Sequence, residues 1–172
     1  MERDMSSLIQ KIVVPIDFSD ASEHAARYAC TLARNLGSSV YLIHVLEQPV
    51  RGPVSTFEAG GTGERLYRGA RERLAALAGH LGALRITTEV RSGKVAEEIN
   101  DCAIAYGADL VVMSTRGLTG LPHLLLGSVA EHVVRTACCP VLVVRHSGQV
   151  RVHQPAPSLR QQEEQVAEAC SV

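Results

Sequence analysis

Two places in the chain bring together residue types that could hold an anionic ligand. The first is the stretch STRGLTGLPHLLLGS, in which Ser114-x-x-Gly117 is followed by nine residues and then by Gly127-Ser128 at an expected helix start. A helix N-terminus presents unpaired N–H groups and the positive end of a dipole, so Gly127, Ser128 and Val129 could cradle phosphate. Glycine lets the backbone come close to a ligand, the Ser128 hydroxyl adds a donor, and the stretch holds no Asp or Glu to repel an anion. Spacing alone leaves a plain Gly-Ser helix cap equally open. The second place is Asp17, just past an apolar run, an acceptor for ribose hydroxyls or a partner for a metal. Taken alone, an Asx turn ahead of a helix explains it as well.

Several other chemistries lack their residues. The chain has neither G-x-x-x-x-G-K-[ST] nor G-x-G-x-x-G, and its lysines are Lys11 and Lys94, outside the glycine loop. Its seven histidines form no H-E-x-x-H and no i, i+4 pair. His44 is expected at a strand end with a satisfied hydrogen bond. The five cysteines, Cys30, Cys102, Cys138, Cys139 and Cys170, include no C-x-x-C, so reduced and mostly buried thiols are expected, Cys138-Cys139 among them. A formal charge of -1 and 3% aromatic residues argue against nucleic acid as a partner. No apolar run approaches the roughly 20 residues of a membrane span, and MERDMSSLIQ does not read as a signal peptide. The expectation is a cytoplasmic protein without membrane contact.

The elements that must position these residues alternate along the chain. KIVVP, SVYLIHVLE, DLVVMS and PVLVVR are apolar on successive residues, as strands covered on both faces are, while RITTEVRSG alternates and suits a sheet edge. Between them lie helical patterns: ASEHAARYACTLARNL, opened by Asp20 and Glu23 and closed by Gly37; ERLYRGARERLAALAGHLG, with Leu66, Ala70, Leu74, Leu77 and Leu81 on one face; KVAEEINDCAIAYG, ending at Gly107; and SVAEHVVRTA. The segment from Gln48 to Gly63 reads as a surface loop. Strand–helix alternation predicts an open α/β sheet with right-handed crossovers. Such sheets bind ligands beyond the carboxyl ends of their strands, where the strand order reverses, and Asp17 and the Ser114 loop both fall at strand ends. Residues 1–8 are expected to form a flexible N-terminus, 9–146 one domain and 147–172 a polar tail.

The residues VVPIDFSDAS, IHVLE and STRGLTGLPHLLLGSVAEHVVRTACCPVLVV resemble the universal stress protein family over about 11–145. The resemblance implies a five-stranded parallel sheet in the order 3-2-1-4-5 with helices on both faces, Rossmann-like and akin to adenine-nucleotide α-hydrolases. It also implies ATP, with Mg, as the ligand. The family's motif G-x-x-G-x9-G-[ST] becomes Ser114, Gly117, Gly127 and Ser128, matching at three of four positions. The resemblance puts Asp17 on the ribose or metal, flanked by Pro15 and Ile16, and the Val45 backbone on the adenine edge. Met113 and Ser114 then line the nucleotide, and Gly117, Gly127, Ser128 and Val129 hold phosphates. Ser114 stands where the motif has glycine, and Arg116 where a histidine is frequent. The resemblance further implies a homodimer through the fifth strand, Val141 to Val144. With few groups for phosphoryl transfer, the expected activity is binding with at most slow ATP hydrolysis. The alternative is a nucleotide-free stress adaptor acting through dimerisation and partner binding.

Overall fold

The computed structural model describes residues 9–47, 61–82, 85–115 and 126–145. The expectations for Arg116, Gly117, the N-terminus, the tail and the greater part of the Gln48 to Gly63 loop lie outside the described residues. Strands and helices alternate as β1 (Lys11–Pro15), α1 (Asp20–Leu36), β2 (Ser39–Glu47), α2 (Thr62–His80), β3 (Ile86–Gly93), α3 (Val95–Tyr106), β4 (Leu110–Ser114), α4 (Ser128–Thr136) and β5 (Val141–Val144). All pairings are parallel and the order is β3-β2-β1-β4-β5, as the resemblance implies.

Alternation along the two central strands builds a core on each face. Ile12, Val14, Leu110 and Val112 pack with Ala26, Ala29, Cys30, Ala33, Leu74 and Leu77 beneath α1 and α2. Val13, Val111 and Met113 pack on the other face with Ile99, Cys102, Ala103, Ala130 and Val133 of α3 and α4. A fully buried Val or Ile contributes about 1.5–3 kcal/mol, so the strands that are apolar on both faces are also the best anchored. The buried face of α1 is all small residues, Ser22, Ala25, Ala26, Ala29, Cys30 and Ala33, which let the helix backbone lie close to the sheet. β3 is an edge, as its alternation predicts, with Thr87 and Thr88 exposed and Val90 buried.

Helix ends explain the boundaries. Gly37 (φ 71) and Gly107 (φ 58) close α1 and α3 in the left-handed region, where a Cβ is costly. At the start of α1 the cap is Ser19 rather than Asp20. The Ser19 Oγ accepts the Ser22 N–H at 3.2 Å, because Ser19 has the extended backbone of a cap and Asp20 is already helical. Leu66 is also displaced from its expected role. Ala70, Leu74, Leu77 and Leu81 are buried beneath α2, while Leu66, in its first turns, is 59% exposed. The α3–β4 junction is tied to β1: the Asp109 Oδ2 accepts the Gln10 and Lys11 N–H groups at 2.9 and 3.0 Å, and the Lys11 Nζ donates to the Tyr106 carbonyl at 2.8 Å.

Candidate functional site

β1 leads towards β2 and β3 on one side and towards β4 and β5 on the other, so the strand order reverses between β1 and β4. Their paired register covers Ile12 with Leu110 and Val13 with Val111, short of both carboxyl ends, and the opening beyond is where such sheets take ligands. Pro15, Ile16 and Asp17 leave β1 at this opening, and Met113 and Ser114 end β4 beside it. Pro15 lies in register with Ile43, and the Ile16 N–H donates to the Ile43 carbonyl at 2.7 Å. Val45 is two residues further along β2 and packs against the α3–α4 face, the face that also takes Met113.

The α4 side is built by a single backbone contact. The Gly127 N–H donates to the Thr115 carbonyl at 2.8 Å, which draws the start of α4 back onto the end of β4. The stretch that spacing singled out thus leaves and re-enters the fold at nearly one point. Thr115 is fixed in turn, its N–H donating to the Val144 carbonyl at 3.2 Å. Leu126, the last of the three consecutive leucines, packs against the α3–α4 core and holds that end of the loop down. Gly127 caps α4 with φ -74 and ψ 157, and the Glu131 N–H returns to its carbonyl at 2.8 Å. Gly127 therefore spends its own amide on Thr115. The amides that helix geometry leaves without an intrahelical carbonyl are those of Ser128, Val129 and Ala130.

Ser114 is buried in the last position of β4, in register with Val144. Among the described non-glycine residues only Phe18 has positive φ, so the backbone at Ser114 does not require glycine. Asp17 forms an Asx turn, its Oδ1 accepting the Ser19 N–H at 3.0 Å and the Ser19 Oγ–H at 2.6 Å. The turn reading of Asp17 is what these bonds show, and they fix where its carboxylate stands. His44 is satisfied as expected, its Nδ1 lying 2.7 Å from the Ile16 carbonyl.

Thr115 and Phe18 were not singled out by spacing. The left-handed backbone of Phe18 leaves no mark in its residue type, whereas Thr115 could be suspected from its place one residue past β4. The cysteine pair also departs from expectation. Cys138 is exposed and Cys139 half-buried, because the bend before Pro140 lies at the surface. Burial and the neighbouring Cys138 push the Cys139 thiol up to about 11, away from easy thiolate formation.

Asp17 and the Ser128 hydroxyl are hard oxygen donors, suited to a cation that shares its ligands with phosphate oxygens. Among the described residues no group of three or more His, Cys, Asp or Glu could hold a metal by itself.

An open parallel α/β sheet whose order reverses between β1 and β4, with helices on both faces, defines a Rossmann-like domain. Comparison with known proteins narrows it: the model of the universal stress protein family matches residues 8–145, and the chain belongs to that family. The universal stress protein MJ0531 of Methanocaldococcus jannaschii is 39% identical over 150 residues, covering 83% of this chain and 86% of the relative. The solved structure of protein MJ0577 superposes with a TM-score of 0.74 at 28% identity, covering 83% of this chain and 99% of that one. A universal stress protein from Archaeoglobus fulgidus, solved in complex with dAMP, superposes with a TM-score of 0.56 at 26% identity, covering 79% and 98%. Among the described residues no helix is long and apolar enough to cross a membrane.

Proposed function

We propose that this chain is a cytoplasmic stress-response protein that binds ATP with Mg in the crevice between the β1–α1 turn and the start of α4. The observation that carries the reading is the conjunction at one reversal point of Asp17 with an α4 N-terminus drawn onto β4 through Gly127 and Thr115. The dAMP-bound relative supports an adenine nucleotide as the ligand class.

In this reading the Asp17 carboxylate takes ribose hydroxyls or the metal, with Pro15 and Ile16 beside it, and the Val45 backbone meets the adenine edge. Met113 and Ser114 line the crevice. Ser128 and Val129 give backbone N–H groups to phosphate, Ser128 adds its hydroxyl, and Gly117 and Gly127 let the chain pass close. The site supplies no lysine and no paired carboxylates to drive phosphoryl transfer, so the role is occupancy rather than turnover.

Titration calorimetry with ATP and Mg tests this. Binding is expected, with a thermal shift that grows as the ligand rises above its dissociation constant. Gly127→Val is expected to lose the binding while folding, since φ -74 and ψ 157 are open to any residue. Turnover is expected below about 1 per minute, against typical enzyme rates of about 10 per second. No heat and no thermal shift at millimolar ATP would overturn the reading and leave the nucleotide-free adaptor.

A further inference from the structure

Phe18, between Asp17 and Ser19, has φ 61, the left-handed region in which a bulky residue is an outlier. Such a conformation persists where its surroundings over-determine it, and here they do. The Phe18 ring lies against His44 of β2, centroids 4.6 Å apart and planes at 42°. The Arg73 guanidinium, reaching over from α2, stands 3.9 Å from the Phe18 centroid. Arg73, Phe18 and His44 therefore form one column.

The same imidazole also fixes the residue on the other side of Asp17. The His44 Nδ1 is 2.7 Å from the Ile16 carbonyl, and since a carbonyl only accepts, Nδ1 carries the hydrogen. The Ile16 N–H is held by Ile43 at 2.7 Å. Asp17 thus sits between two residues tied to His44, with its own Oδ1 turned onto Ser19. The Ser19 cap of α1 accounts for the helix start through its own hydroxyl and asks nothing of Phe18. The left-handed turn and its column flank Asp17 in the chain, next to the Ser19 bonds that hold its Oδ1.

We propose that Arg73, Phe18 and His44 are positioning residues that hold the Asp17 carboxylate toward bound nucleotide, so that α2 sets nucleotide affinity from outside the crevice. The proposal rests on the nucleotide reading given above. It makes no use of contact between the column and the ligand: Arg73 is exposed on α2, and the Phe18 ring packs against the α1–α2 core.

The experiment is a double-mutant cycle on the full chain, read by calorimetry with ATP and Mg up to millimolar concentration. Phe18→Gly accepts φ 61 without strain and removes the ring; Asp17→Asn keeps the acceptor that forms the turn and removes the charge. Phe18→Gly is expected to weaken ATP about tenfold beside Asp17 and less than about threefold in the Asp17→Asn background, the scale of loss when a binding group is misplaced. Phe18→Tyr, which keeps the ring, is expected to restore affinity. Arg73→Ala is expected to give a smaller loss with the same dependence on Asp17, and being a surface change on a helix it keeps the test open if Phe18→Gly fails to fold. Equal losses in both backgrounds, or no loss, with wild-type binding intact would overturn the positioning role and leave the nucleotide reading standing. Absence of wild-type binding would overturn both.

Discussion

At Ser114 the chain is still extended, buried at the end of β4 and in register with Val144, so the Cβ that departs from the family's glycine meets no backbone penalty. Glycine there would add unfolded-state freedom and remove the serine's own contacts. Ser114→Gly is therefore expected to destabilise the fold by about 1 kcal/mol, as glycine inside a strand does. ATP affinity is expected to stay within about threefold, because the proposed reading puts phosphate on the α4 amides and not at this position. Denaturant midpoints and calorimetry check the two halves separately, and a gain in affinity well beyond tenfold would show that the serine side chain crowds the ligand. Residue types located this position but could not settle it. The motif asks for glycine, and only the backbone dihedral says whether glycine is needed. The same holds in reverse at Phe18, whose type gives no hint of its left-handed backbone.

Among the elements, the seam between α3 and β3 carries a titratable cluster. The Tyr106 hydroxyl donates to the Glu89 Oε2 at 2.8 Å, and its ring stacks on Tyr41 with centroids 4.2 Å apart. Arg91 stands between Glu89 and Glu98, at 3.4 and 3.3 Å. The hydrogen bond to Glu89, with burial adding, pushes the Tyr106 phenol from 10 up to about 12. Burial, with the Glu89 charge adding, pushes the Cys102 thiol from 9 up to about 12. Both groups are neutral when protonated, and the folded chain holds the proton more tightly than the unfolded one. The stability they contribute is complete below about pH 9 and is lost as pH rises towards 12. Urea midpoints are expected to fall above pH 9, and a Tyr106→Phe, Cys102→Ala double variant is expected to show a flatter alkaline limb despite a lower midpoint at pH 7. An unchanged slope would place the alkaline loss elsewhere. The nine elements of the described residues were legible because strand and helix periods differ and glycines mark the ends of α1 and α3. Caps and first turns were not, since the choice of Ser19 over Asp20 depends on dihedrals, and a helical stripe does not say that Leu66 lies beyond the packed part of α2.

For the whole molecule, the open question of assembly lies at β5, an edge strand whose four residues are all part-buried. Its partner on the inside is β4: the Val111 N–H meets the Pro140 carbonyl and the Thr115 N–H meets the Val144 carbonyl. In a parallel ladder such contacts alternate, so Leu142 also faces β4 while the N–H and C=O groups of Val141 and Val143 point to the open edge. Edge strands are usually covered or paired, and we propose that the homodimer through Val141 to Val144, which the family resemblance implies, does so here. Val143→Pro separates the two sides of the strand, because proline removes only the outward N–H and is tolerated on an edge. The wild type is expected to sediment as a dimer at micromolar concentration. Val143→Pro is expected to sediment as a monomer with its circular dichroism retained, because the β4 ladder keeps every donor it uses. A monomeric wild type would remove the proposed interface, and a dimeric proline variant would move it to another face.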